Sequence, residues 1–148
     1  MTTKLDAVRA LAAGETGLAT VAIARTDGTV QASVVNAGLL DDPVSGRPSV
    51  AFVAVGGARK LGLLRERGNA TVVFRRGWNW AAIQGPARLI GPDDPDPGFD
   101  PAGLPGLLRD IFTAAGGTHD DWDTYDRVMA EERRCAVFVE ASRISGPA

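Results

Sequence analysis

A hairpin near the start of the chain restricts its fold more than any other feature. Residues 17–25, GLATVAIAR, are rich in β-branched and small apolar residues and read as a strand. Asp27-Gly28 supplies a tight turn, and residues 29–40, TVQASVVNAGLL, return as the partner strand. Turn residues at 41–48, DDPVSGRP, then precede SVAFVAV at 49–55, a short apolar run suited to a strand buried on both faces. ATVVF (70–74), WNWAAIQGPARLIG (78–91) and CAVFVEASRI (135–144) complete a set of about six strands. Pro86 cannot donate to a ladder, so a bulge or an edge is expected at Gly85-Pro86.

Helices fit between these strands. Leu5, Val8, Leu11 and Ala12 share one face of a first helix, capped by Thr2 or Thr3 and ended by Gly14. Residues 58–68, ARKLGLLRERG, form a short helix with Leu61 and Leu64 inward, closed at Gly68-Asn69. After the proline-rich loop 93–103, LPGLLRDIFTAAG (104–116) presents Leu107, Leu108, Ile111 and Phe112 as a stripe. Thr118 or Asp120 is the expected cap of a last helix whose final turn is ERR (132–134). Strands joined mostly by tight turns indicate a mainly β, α+β fold. The expected architecture is an antiparallel barrel with peripheral helices, in a single domain over residues 1–148.

Composition narrows the function. The net charge is −2 and the pI about 5.3, which gives no general attraction for nucleic acid. No apolar run is long enough to cross a bilayer, and MTTKLDAVRALAAGE lacks an apolar leader core, so a cytoplasmic protein is expected. The one cysteine, Cys135, permits no internal disulfide and opens an apolar strand, which suits an inert buried thiol. With His119 the one histidine, beside Asp120 and Asp121, neither a metal centre nor a histidine-based triad is expected. Neither a dinucleotide fingerprint nor a P-loop is present, so any chemistry is expected to come from a cofactor.

Three segments can bind one. In VAVGGARKLGLLRER a strand gives way to Gly56-Gly57 and a helix whose first turn holds Arg59 and Lys60. Cations there oppose the helix dipole, and a bound phosphate would satisfy dipole, backbone N–H groups and side chains together, with the two glycines letting the backbone approach it. The same residues also fit an ordinary strand-to-helix turn with exposed basic side chains. In WNWAAIQG, Trp78 and Trp80 are spaced to share a strand face, as a wall for a flat ligand, as core or as a subunit interface. Gln31, Ser33 and Asn36 need hydrogen-bond partners, from a heterocycle, solvent or a neighbouring strand.

The order of four segments, residues 17–36, 58–74, 77–90 and 118–134, resembles the pyridoxamine 5′-phosphate oxidase-like split barrels. Within them it is most similar to the actinobacterial group that uses the deazaflavin coenzyme F420. The resemblance implies an FMN-binding type of split barrel and a homodimer with the cofactor in a groove between protomers. It places the cofactor phosphate at Lys60, helped by Arg59 and Arg65. The ring would lie along strands 31–36 and 50–55, touching Gln31, Ser33, Asn36, Val53 and Val55, with Trp78 and Trp80 lining the cleft. Family members often carry an arginine two residues before that lysine. Here the position is Ala58, and its neighbour Arg59 is turned from it by about 100° along a helix. The implied activity is hydride transfer to a small organic substrate. FMN in place of F420, and a carrier without turnover, are the alternatives.

Overall fold

The structure, a computed structural model, describes residues 4–148, so the expected caps Thr2 and Thr3 lie outside the described residues. In chain order the elements are α1 (Lys4–Gly14), β1 (Leu18–Ala24), β2 (Val30–Leu39), β3 (Ser49–Ala54), α2 (Arg59–Arg67) and β4 (Asn69–Arg76). There follow β5 (Asn79–Ile90), a 3-10 turn at Pro101–Gly103, α3 (Leu104–Ala114), α4 (Trp122–Glu131), β6 (Cys135–Glu140) and β7 (Arg143–Ser145).

The strands run β4-β1-β2-β3-β6-β5, and pairing of β4 with β5 closes them into a six-stranded antiparallel barrel. The first hairpin is held by Asp27, whose carboxylate accepts from the Thr29 backbone N–H at 2.9 Å and from its hydroxyl at 2.6 Å, while Gly28 takes φ +88°. One strand exceeds expectation: the short β7 adds to β5 outside the barrel, with Ile83 opposite Ile144. The interruption expected at Gly85-Pro86 is a corner rather than a break. Up to Pro86 strand β5 pairs with β4, and from Ala87 it pairs with β6. Proline has no N–H to offer at the exchange, and a Cβ on Gly85 would collide with the Glu140 carbonyl.

Strand β3 is buried on both faces, as its unbroken apolar run requires. Val50, Phe52 and Ala54 face the barrel interior with Val21, Ile23, Val72, Phe74, Ile83, Val137 and Val139. Val8 and Leu11 of α1 and Leu61 and Leu64 of α2 join this cluster. Ala51, on the other face of β3, packs with Ala136 and Phe138 of β6 and with Leu107, Leu108 and Ile111 of α3. Helices α3 and α4 therefore cover the outside of the β3–β6 half. Strands β1 and β2 keep apolar side chains in the open: Leu18, Val30 and Val34 are 52%, 57% and 68% exposed.

Two helix boundaries differ from expectation. The cap of α4 is neither Thr118 nor Asp120 but Asp121, whose carboxylate accepts from the Thr124 N–H at 3.1 Å. Asp121 directs its own N–H to His119 Nδ1 at 3.0 Å, so the histidine shapes the turn. Helix α4 stops at Glu131, and residues 132–134 form a turn in which Arg133 takes φ +51°. Near the other end of the fold, Asp42 accepts from the Val44 and Ser45 N–H groups and from Arg88, which also reaches Asp96. Burial alone would raise the Asp42 pKa, but these donors hold it below the usual carboxylate range.

Candidate functional site

A cleft of about 420 Å³ opens where the covered and bare halves of the barrel meet. That volume suits one small organic ligand. Strands β2 and β3, with Val55 just after β3, give its floor through Val34, Asn36, Val53 and Val55, and helices α3 and α4 give its far wall through Ile111, Phe112, Tyr125 and Met129. Lys60 and Arg134 supply its charge. The floor residues are there because period two turns Val34 and Asn36 outward while Val35 and Ala37 turn into the core.

The far wall is fixed by aromatic contacts. The Phe112 and Tyr125 ring centroids lie 5.2 Å apart, and Trp122 stands edge-on to Tyr125 at 5.3 Å. Arg109 lies over Trp122 and pairs with Asp126, joining α3 to α4. Tyr125 donates its hydroxyl to the Leu108 carbonyl at 3.1 Å, and burial raises its pKa. Asn36 Nδ2 donates to the carbonyls of Thr16 and Ala115 at 2.8 and 3.2 Å. That fixes the amide orientation and leaves Asn36 Oδ1 as an acceptor without a donor among the described residues.

Lys60 is half-buried in the first turn of α2 and makes no hydrogen bond or ion pair among the described residues. Burial, and then the charge of Arg134, lower its pKa. The helix begins at Ala58 without a side-chain cap and without an acid in its first turn. The larger groove between Asp42, Arg47, Arg88 and Asp96, about 520 Å³, offers nothing comparable. Its arginines are already paired with Asp42, Asp96 and Glu140.

The residues marked in the sequence divide between the cleft and other places. Asn36, Val53, Val55 and Lys60 meet in it. Gln31 and Ser33 sit opposite Ile23 and Val21 on the inner face of the barrel, turned away from the cleft, and Gln31 Oε1 and Ser33 Oγ are buried without a partner among the described residues. Ala58 packs against the interior cluster, and Arg59 is exposed outside the cleft lining, as the turn of a helix demands. Arg65 is engaged elsewhere, in a bidentate pair with Asp94 at 2.7 Å. Trp78 and Trp80 do not share a strand face, because Trp78 belongs to the turn after Gly77 and β5 starts at Asn79. Trp78 is 98% exposed and Trp80 39%. Phe112, Tyr125, Met129 and Arg134 were not marked by the sequence as site residues. They read locally as helix stripe and helix end, and only tertiary packing sets them over β2 and β3.

Gly56 also has a role different from approach to a ligand. Its N–H donates to the Glu132 carbonyl at 2.9 Å, and a Cβ there would lie 2.7 Å from Arg133 Cβ and from the Arg133 carbonyl oxygen. The glycine brings the chain against itself. Cys135 is buried, and burial with the nearby Asp94 pushes its pKa up to about 12, so it stays a thiol.

The fold decides a comparison that sequence alone does not. No family model matches the chain, and no curated protein matches it. Solved structures do. A pyridoxamine 5′-phosphate oxidase-related, FMN-binding protein from Nostoc punctiforme superposes with TM-score 0.64 at 11% identity, over 97% of this chain and 83% of its own. This is a split β-barrel. An F420 reductase aligns with TM-score 0.58 at 12% identity, over 86% of this chain and 88% of its own. A putative 5-nitroimidazole antibiotic resistance protein from Bacteroides thetaiotaomicron aligns with TM-score 0.67 at 12% identity, over 99% and 84%. At such identities the split barrel shares its architecture with these proteins. No helix among the described residues is long and apolar enough to cross a membrane.

Proposed function

We propose that this split barrel binds the phosphate-bearing deazaflavin F420 in the β2–β3–α2 cleft and acts as a cytoplasmic oxidoreductase on a small organic substrate. The observation that carries the proposal is Lys60: a half-buried ammonium without an acid partner among the described residues, in a cleft that also holds Arg134 and is otherwise lined mainly by apolar and aromatic side chains. Such a charge is costly unless an anion meets it. A phosphate fits the requirement, and the adjoining floor of Val34, Val53 and Val55 against Phe112 and Tyr125 fits a flat ring. Asn36 Oδ1 offers an acceptor to a ring N–H. When bound, the cofactor supplies hydride; the chain's residues hold the phosphate, orient the ring and exclude water. FMN has the same phosphate and a ring of similar size, and the likeness to an FMN-binding protein favours it as the second reading. A carrier that binds cofactor without turnover is the third.

Fluorescence titration with F420 and with FMN tests the proposal and separates the two cofactors. Lys60→Ala should weaken binding by about 1.5–3 kcal/mol, the range for a charge-assisted hydrogen bond. A titration curve that Lys60→Ala leaves unchanged removes the residue from the site. Turnover of the reduced cofactor with a panel of acceptors distinguishes an enzyme from a carrier.

We further propose a homodimer. The cleft opens beside the bare apolar face of β1 and β2, where Val34 belongs to both, and Trp78 stands 98% exposed in the β4–β5 hairpin. Exposed apolar area of this kind is the mark of an interface. A second copy seated there would close the cleft. Light scattering should return twice the chain mass; a monomer at micromolar concentration contradicts the shared-groove arrangement.

A further inference from the structure

We infer that Arg134, reaching the cleft from the turn between α4 and β6, is the second cation on the phosphate that Lys60 receives; this rests on the cofactor reading above. The sequence places the two residues 74 positions apart, 134 − 60, and nothing local connects them. The connection is made by Gly56. Its N–H bond to the Glu132 carbonyl ties the turn after α4 to the turn before α2, and the missing Cβ lets the two backbones meet. Arg133 then takes φ +51° and spends its side chain on Asp93, away from the cleft. The following residue, Arg134, comes to line the cleft with Lys60.

Two cations facing one cleft repel each other; burial is the larger cause of the lowered Lys60 pKa, and the charge of Arg134 lowers it further. The carboxylate on Arg134 is its neighbour Glu132, at 2.8 Å in a pair whose side chains are 29% and 41% exposed. An exposed pair of this kind contributes little and is readily exchanged. A guanidinium has five N–H donors in a planar fork that matches phosphate oxygens, so a phosphate between Lys60 and Arg134 replaces a weak contact by charge-assisted hydrogen bonds and removes the repulsion. Glu132 in this arrangement holds Arg134 in place until an anion arrives. The phosphate is a monoester in FMN and a diester in F420, and both present oxygens to the fork.

The test compares each cofactor with a form that lacks the phosphate: FMN with riboflavin, and F420 with the ribityl deazaflavin, which lacks the phosphate and the tail esterified to it. Wild type, Arg134→Ala, Arg134→Lys and Glu132→Gln are titrated by fluorescence with all four. Arg134→Ala should weaken the phosphate-bearing form by about ten-fold or more while shifting its phosphate-free counterpart less than about two-fold. Arg134→Lys should recover part of the loss, and Glu132→Gln should bind at least as tightly as wild type. Whichever pair shows the difference identifies the source of the phosphate. Equal losses for both members of a pair would assign Arg134 a structural role and overturn the inference, as would no loss at all, while the cofactor reading survives. Wild type that binds none of the four withdraws the cofactor reading and the inference with it.

Discussion

Replacing Phe52 by alanine is expected to lower the stability of the protein by about 3–5 kcal/mol, the usual cost of emptying an aromatic site in a packed core. Phe52 is fully buried on β3, between Ala37 of β2 and Val137 of β6 in the ladder. It faces the barrel interior, where both small neighbours leave the volume to the phenyl ring. Strands closed into a barrel cannot collapse onto a cavity as a surface helix can, because each is hydrogen-bonded on both sides. With a domain of this size stable by roughly 5–15 kcal/mol, the variant should stand near its unfolding threshold. Urea denaturation measures it: the midpoint should fall sharply with the slope unchanged. A loss below about 1 kcal/mol would mean that the interior is not packed around Phe52.

Most of the barrel was legible because its signals are local. Asp27-Gly28 fixes one hairpin, the run 49–55 declares a strand buried on both faces, and Gly68 ends α2 with φ +75° and an N–H bond to the Leu64 carbonyl at 2.8 Å. Signals shorter than their element mislead. Alternation in the sequence runs from β5 back through the hairpin turn and so places Trp78 on a strand that in fact starts one residue later. The three-residue β7 is too short to show a period. Thr118 and Asp120 are acceptable caps by type, and Asp121 prevails because its carboxylate reaches the Thr124 N–H.

The site was half legible for a related reason. Period two assigns Gln31, Ser33 and Val35 to one face of β2 and Val34 and Asn36 to the other, but it does not say which face is outside. A mixed polar and apolar strand gives no contrast to decide it, and the polar pair Gln31 and Ser33 is the one turned inward. Lys60 was visible from the dipole argument, since its turn carries the wrong charge. Arg134 was not, because its position depends on the meeting of Gly56 with Glu132 and Arg133, a contact that leaves no local trace beyond a glycine.

Gly38→Ala is the expected result that joins the two levels. Gly38 lies on β2 opposite Ala51 of β3, at the point where the C-terminal end of α3 rests on the barrel. A Cβ at Gly38 would overlap the Ala114 carbonyl, and Ala115 N would stand 2.7 Å away. These are backbone atoms, so rotamer changes give no relief and α3 must lift. The helix cannot do so without disturbing Leu107, Leu108 and Ile111, which pack against the outer faces of β3 and β6, and the Asn36 bond to the Ala115 carbonyl. Overpacking against rigid backbone should cost about 3 kcal/mol. It should also move Phe112, so that the far wall of the cleft shifts while Lys60, on a different helix, keeps its place. Denaturation and cofactor titration on the same variant separate the effects: stability and ring binding should both fall, and the ratio of affinities for a cofactor and its phosphate-free form should stay as in wild type. If Gly38→Ala folds with unchanged stability, α3 is not seated on β2, and the aromatic wall of the cleft loses its support.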